Sequence, residues 1–181
     1  MSAKELQVLT GSQTIGPFFR YGLAWEKGEE AYPADAPGEK IELSGRLTDG
    51  AGASIADAMI EFWQADAAGK FGGPVPGSSA GFARAYTDAD GCYRFTTRKP
   101  GVPAEAKGTA PHILVCLFSR GLLKHVFTRV YFDGEAANGA DPVLKAAGER
   151  GATLIATKSG AGKYTWDIVL QGGRETVFID F

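Results

Sequence analysis

Between Ile41 and Leu170 one pattern keeps returning: a short run with apolar side chains at every second position, or at every position, followed by a turn of glycine, proline or aspartate. Ile41, Leu43, Gly45 and Leu47 share one face before Asp49-Gly50 and Gly52 turn the chain. Residues 58–63 are apolar on both faces except at Glu61, as in a strand covered on both sides. Asp88-Ala89-Asp90-Gly91 is a turn into residues 92–97, which Lys99-Pro100-Gly101 stops. Residues 113–118 and 126–132 follow, and then Tyr164, Trp166, Ile168 and Leu170 alternate with Thr165, Asp167 and Val169. Seven or more short strands separated by such turns predict an all-β chain, a single-domain β-sandwich. One short helix is expected: Asp141 caps it, Pro142 sits in its first turn, and Gly148 and Gly151 end it.

The first 37 residues behave differently. They lack sustained periodicity, and Gly11, Gly16, Pro17, Gly22, Gly28, Pro33 and Pro37 break any helix or long strand. The chain therefore divides into an extended N-terminal arm, 1–37, and a sandwich domain, 38–181. Ile15, Phe18, Phe19, Tyr21, Trp25 and Tyr32 would be poorly solvated on a free arm, so it lies against its own body or a partner's.

Charge and composition exclude several functions. A net charge of -2 with scattered lysine and arginine offers no field for nucleic acid. No stretch approaches the roughly 20 apolar residues of a membrane helix. There is no N-terminal apolar signal segment, so a cytoplasmic location is expected. Cys92 and Cys116 sit in apolar or strand-like runs, as buried thiols do in a reducing compartment. No solenoid or propeller repeat is present. Nucleophilic catalysis has no G-x-S-x-G elbow to rest on. Residues 161–163 and 172–174 carry glycines without a following helix, which makes them strand connections rather than phosphate cradles. A structural zinc site would need pairs such as C-x-x-C or H-x-x-x-H, and the chain has neither.

Several segments, in order, resemble one family. Gly45-Arg46-Leu47-Thr48-Asp49 and then residues 60–71, IEFWQADAAGKF, resemble the start of the catalytic domain of intradiol ring-cleavage dioxygenases. Residues 81–88, GFARAYTD, with 91–101, GCYRFTTRKPG, are similar to its central signature. Ala110-Pro111-His112-Ile113, then 127–132, FTRVYF, and 164–170, YTWDIVL, extend the resemblance over nearly the whole chain.

What the resemblance implies turns on four positions. The family holds Fe(III) with two tyrosines and two histidines, hard oxygen and imidazole donors suited to ferric iron. Phe71 stands where the first tyrosine follows the Gly-Lys pair, and Val102 where the second follows Lys-Pro-Gly. The His-x-His pair is His112 and Leu114. Three of the four ligand-equivalent positions cannot donate to a metal, and His112 alone binds too weakly to hold one. The resemblance therefore implies a chain with no catalytic residue and no metal of its own, and His125, outside the motif, is expected as a surface or strand residue.

One branch of the family pairs an iron-bearing beta subunit with a homologous alpha chain that has lost its ligands, and opens protocatechuate with O2. The short length, without the helical N-terminal segment of other branches, implies the alpha type here, with Fe(III) on the partner beta subunit. On that reading the chain supplies pocket wall and assembly. The implied substrate-binding residues are Thr14, Gly16 and Pro17 of Ser12-Gln13-Thr14-Ile15-Gly16-Pro17-Phe18-Phe19. Arg129, with Phe127 and Tyr131 as same-face strand neighbours, is a second candidate: its guanidinium suits an aromatic carboxylate and equally an interface or surface salt bridge. Two other readings stay open. One is a non-enzymatic β-sandwich binding module; the other is a self-sufficient dioxygenase with unusual ligands among Tyr86, Tyr93, Tyr131 or the acids.

Overall fold

The computed structural model describes residues 11–72, 80–106 and 108–180. The first ten residues of the expected arm lie outside them.

Nine strands are present among the described residues: β1 Lys40–Thr48, β2 Met59–Gln64, β3 Phe82–Tyr86, β4 Cys92–Arg98, β5 His112–Phe118, β6 Val126–Phe132, β7 Ile155–Gly160, β8 Lys163–Thr165 and β9 Ile168–Val169. They follow the order β3-β2-β5-β6-β7-β8-β1-β4, with β9 beside β1. β3, β2, β5 and β6 form one antiparallel layer. β7, β8, β1 and β4 form the other, and a parallel pairing of β6 with β7 joins the two. The two ends of the path, β3 and β4, also touch, so the sandwich is nearly closed into a barrel.

The period-two runs decide what the layers enclose. Ile41, Leu43 and Leu47 of β1 meet Ile60 and Phe62 of β2, Phe95 of β4 and Ile113, Val115 and Leu117 of β5, all at most 1% exposed. The Phe62 and Phe95 rings stack across the layers with centroids 3.6 Å apart. Gly45 is required on its face: a Cβ there would lie 1.8 Å from the Trp166 carbonyl oxygen. The alternation at 164–170 also holds, with Tyr164, Trp166 and Ile168 buried although the strand breaks between β8 and β9.

The expected helix is α2, Pro142–Ala147, with the Asp141 side chain accepting from the Val143 and Leu144 amides and Gly148 at its end. A second helix, α1, Phe18–Leu23, lies inside the stretch expected to be extended. Pro17, at φ -60°, is already set for a helix start, and Gly22 falls in the last turn where its cost is small. Beyond α1 the chain is pinned to its own body. Ala31 donates to the Thr96 carbonyl at 3.0 Å, and Arg84 donates through its backbone to Gly28. The Arg98 guanidinium, in a residue only 8% exposed, binds the carbonyls of Pro33, Ala34 and Gly38. Phe18 and Tyr21, in contrast, are 82% and 84% exposed.

Cys92 corrects an expectation. It opens β4 on the outward side of the alternation, so it is exposed while Tyr93 and Phe95 face the core. Cys116 is half-buried, and burial followed by the Glu61 charge pushes its thiol up to about 12, leaving it a neutral thiol. Among the described residues no helix is long and apolar enough to cross a membrane.

Candidate functional site

The outer face of the first layer collects the residues singled out in the sequence. On β5, His112, Leu114 and Cys116 alternate away from the buried Ile113 and Val115. The register sets Tyr131 of β6 opposite His112, Arg129 opposite Leu114 and Phe127 opposite Cys116. Across β2, Trp63 faces Leu114 and Glu61 faces Cys116, while Phe82 and Arg84 of β3 come next. Phe71 stacks on Trp63, with rings 6.2 Å apart and inclined by 12°. A cavity of about 250 Å3 sits here, with Trp63, Phe82, Leu114 and Phe127 in its wall. Val102 lies beside the turn at Gly69, where Ala104 donates to the Gly69 carbonyl at 2.9 Å.

His112 is 4% exposed and its Nδ1 lies 2.8 Å from the Ala110 carbonyl, which can only accept, so Nδ1 carries the hydrogen. Its ring packs against Tyr131 at 5.5 Å. The Tyr131 hydroxyl donates to Asp141 Oδ1 at 3.0 Å and accepts from Arg129 Nη1 at 3.5 Å. Burial pushes the Tyr131 phenol up to about 12. Asp141 is fully buried. Burial alone would raise its pKa, but bonds from the Ala110 and Leu144 amides, the Tyr131 hydroxyl and the Val143 amide hold it below the ordinary value. Arg129 Nε is buried and has no acceptor among the described residues. The part played by Tyr131 and Asp141 had no sequence signal beyond the helix cap, because their meeting depends on how the segment ahead of α2 folds back onto β6.

The arm residues form a second group. Thr14 Oγ1 donates to the Ser119 carbonyl at 3.3 Å and accepts from the Gly121 amide at 3.1 Å, which ties the arm to the β5–β6 loop. Gly16 and Pro17 border a cavity of about 200 Å3 with Arg20, Tyr21, Asp57 and Arg120. A Cβ on Gly16 would meet nothing of this chain within 4 Å, so no neighbour in the chain itself demands the glycine. Ser119, the residue after β5, lies five residues on from Leu114, the partner of Arg129, or roughly 16 Å along an extended chain. The structure thus gathers Phe71, His112, Leu114 and Arg129 on one face and sets Thr14, Gly16 and Pro17 at the loop end of the same hairpin. His125 is exposed, with its ring against Phe118 and Phe127.

A dioxygenase family model, Dioxygenase_C, matches residues 15–172. The chain belongs to the intradiol dioxygenase family. It is 43% identical to the protocatechuate 3,4-dioxygenase alpha chain of Burkholderia cepacia, over 94% of this chain and 96% of that one. It is 33% identical to the beta chain of the same organism's enzyme, over 92% of this chain and 77% of that one. The fold is similar to the dioxygenase domain of a dioxygenase and carbohydrate-binding protein fusion from the cellulolytic bacterium Streptomyces sp. SirexAA-E. There the TM-score is 0.62 and the identity 26%, covering 88% of this chain and 96% of that domain.

Intradiol dioxygenases depend on iron, and the donor set of this chain does not fit it. Phe71 and Leu114 present hydrocarbon around Trp63 and the Val102 side chain has no donor atom, so His112, whose Nε2 keeps its lone pair, is the single side-chain donor at the four positions. The tyrosines that might substitute are dispersed and engaged. Tyr93 donates to the Trp166 carbonyl inside the core, and Tyr86 lies near the Phe19 carbonyl on the arm. Tyr131 and Asp141 do stand near His112, but that carboxylate already accepts from three amides and the phenol. Binding iron there would strip a fully buried carboxylate of those bonds.

Proposed function

We propose that this chain is the alpha-type, iron-free subunit of a two-subunit dioxygenase that cleaves protocatechuate with O2 to 3-carboxy-cis,cis-muconate at Fe(III) held by a homologous beta subunit. The observation that carries this reading is that hydrocarbon stands at Phe71 and Leu114, on the face that also holds His112 and Arg129. The identity to an alpha chain over nearly the full length of both proteins supports it. The assembly works in the cytoplasm.

No base, nucleophile or metal ligand is asked of this chain. Its contribution is to position: the Arg129 guanidinium receives the carboxylate of the aromatic acid, and Thr14, Gly16 and Pro17 of the arm close the wall from the other side. The exposed aromatic side chains of α1 are covered in the assembly.

The test is to purify the chain alone and, in parallel, co-expressed with a homologue bearing Tyr, Tyr and His-x-His. The lone chain is expected to hold no stoichiometric iron and cleave no ring, and the pair to be iron-loaded and active. An iron-loaded, active lone chain would overturn the reading.

A further inference from the structure

An arginine that is to receive a carboxylate must be held where the anion arrives, and a long flexible side chain otherwise gives up rotamer freedom on every binding event. Arg129 is only half-buried and so is not fixed by packing alone. What fixes it is a chain of hydrogen bonds that begins at Asp141. The Asp141 carboxylate accepts from the Val143 amide at 2.8 Å, the Leu144 amide at 3.1 Å and the Ala110 amide at 2.9 Å, so the start of α2 and the entry to β5 hold it in place. With three amides converging on it, this carboxylate acts only as an acceptor. The Tyr131 phenol has a single hydrogen, and Asp141 Oδ1 at 3.0 Å takes it. The lone pairs of the phenol oxygen are thereby left for Arg129 Nη1, 3.5 Å away. Tyr131 itself is fully buried and braced by the His112 ring, so it forms a rigid post.

We propose that Tyr131 and Asp141 are positioning residues for Arg129: the carboxylate orients the phenol hydrogen, the phenol oxygen anchors one arm of the guanidinium, and the remaining donors face the incoming anion. This rests on the reading above, in which Arg129 meets the substrate's carboxylate. The guanidinium is planar, so anchoring Nη1 sets the direction of the whole fork. Arg129 Nε is buried without an acceptor among the described residues, a donor that the bonds within this chain leave unused.

The experiment uses the assembled two-subunit protein and compares anaerobic binding of 3,4-dihydroxybenzoate with its uncharged amide, read from the absorbance change at the iron. Tyr131→Phe removes only the hydroxyl. It is expected to weaken binding of the acid by about three- to tenfold, with amide binding and iron content unchanged. In an Arg129→Ala background the same substitution is expected to add nothing. Asp141→Ala, which takes away the acceptor of the phenol hydrogen, should lower acid binding relative to amide binding in the same direction as Tyr131→Phe. Equal weakening of acid and amide would reduce Tyr131 to a structural role and overturn the proposal. If Arg129→Ala weakens the acid but Tyr131→Phe does not, the positioning role falls while the role of Arg129 stands. If Arg129→Ala itself leaves acid binding untouched, the underlying reading fails.

Discussion

His112 sits 4% exposed with Nδ1 bonded to Ala110 and its face against Tyr131. Burial first, and the Arg129 charge as well, hold its pKa below the ordinary value of 6.5, while the Ala110 carbonyl and Asp141 oppose them. The folded chain therefore disfavours the protonated ring that the unfolded chain accepts. Its contribution to stability is whole above about pH 6.5 and is lost as pH falls below that value. Asp141, whose folded pKa is also depressed, adds its own loss only below about pH 4. His112→Gln is accordingly expected to flatten the fall in melting temperature between pH 7.5 and pH 5, measured by thermal unfolding of the purified chain. An unchanged slope would take the imidazole out of that account. At this scale the sequence is most transparent: that Phe71, Val102 and Leu114 cannot hold a metal follows from their composition.

The turns repeat one local device. Asp49, Asp66 and Asp88 each accept through Oδ1 from the amides two and four residues ahead, at 2.8 to 2.9 Å. In each the glycine three residues on, at φ between +74° and +86°, donates back to the aspartate carbonyl. The spacing Asp-x-x-Gly is thus a legible turn signal, and residues 49–52 and 88–91 are turns as their composition indicates. Asp88→Ala is expected to lower stability by about 1–2 kcal/mol through loss of the bonds to Asp90 and Cys92, with Asp88→Asn costing less because its amide oxygen still accepts. Denaturant midpoints of the three proteins check the order. Elements without such punctuation were harder to see. β3 turns only Ala83 and Ala85 inward, and β7 has a single fully buried alanine, so neither carries a strong alternation of its own. α1 was hidden by glycines and prolines that fall at its edges, where they cost little.

The whole molecule buries the second half of the arm through Ala31 and Arg98 and leaves α1 outside. Phe18→Ser together with Tyr21→Ser is expected to leave the melting temperature of this chain within about 2 °C, since both side chains are solvated here. The same pair should shift the co-expressed assembly toward separate subunits in size-exclusion chromatography; unchanged elution would show that α1 is not at the interface. The amino-acid sequence by itself determined the strand periods, the turns, the capped helix and the absence of metal donors, because each is a property of neighbouring residues or of one side chain. Only the tertiary structure decided that His112 would rest on Tyr131, that Arg129 would share a face with Leu114, and that Asp141 would reach both the entry to β5 and β6. Those meetings depend on register between strands and on the parallel joining of β6 to β7, which are set by burial across the whole sandwich and not by any spacing along the chain.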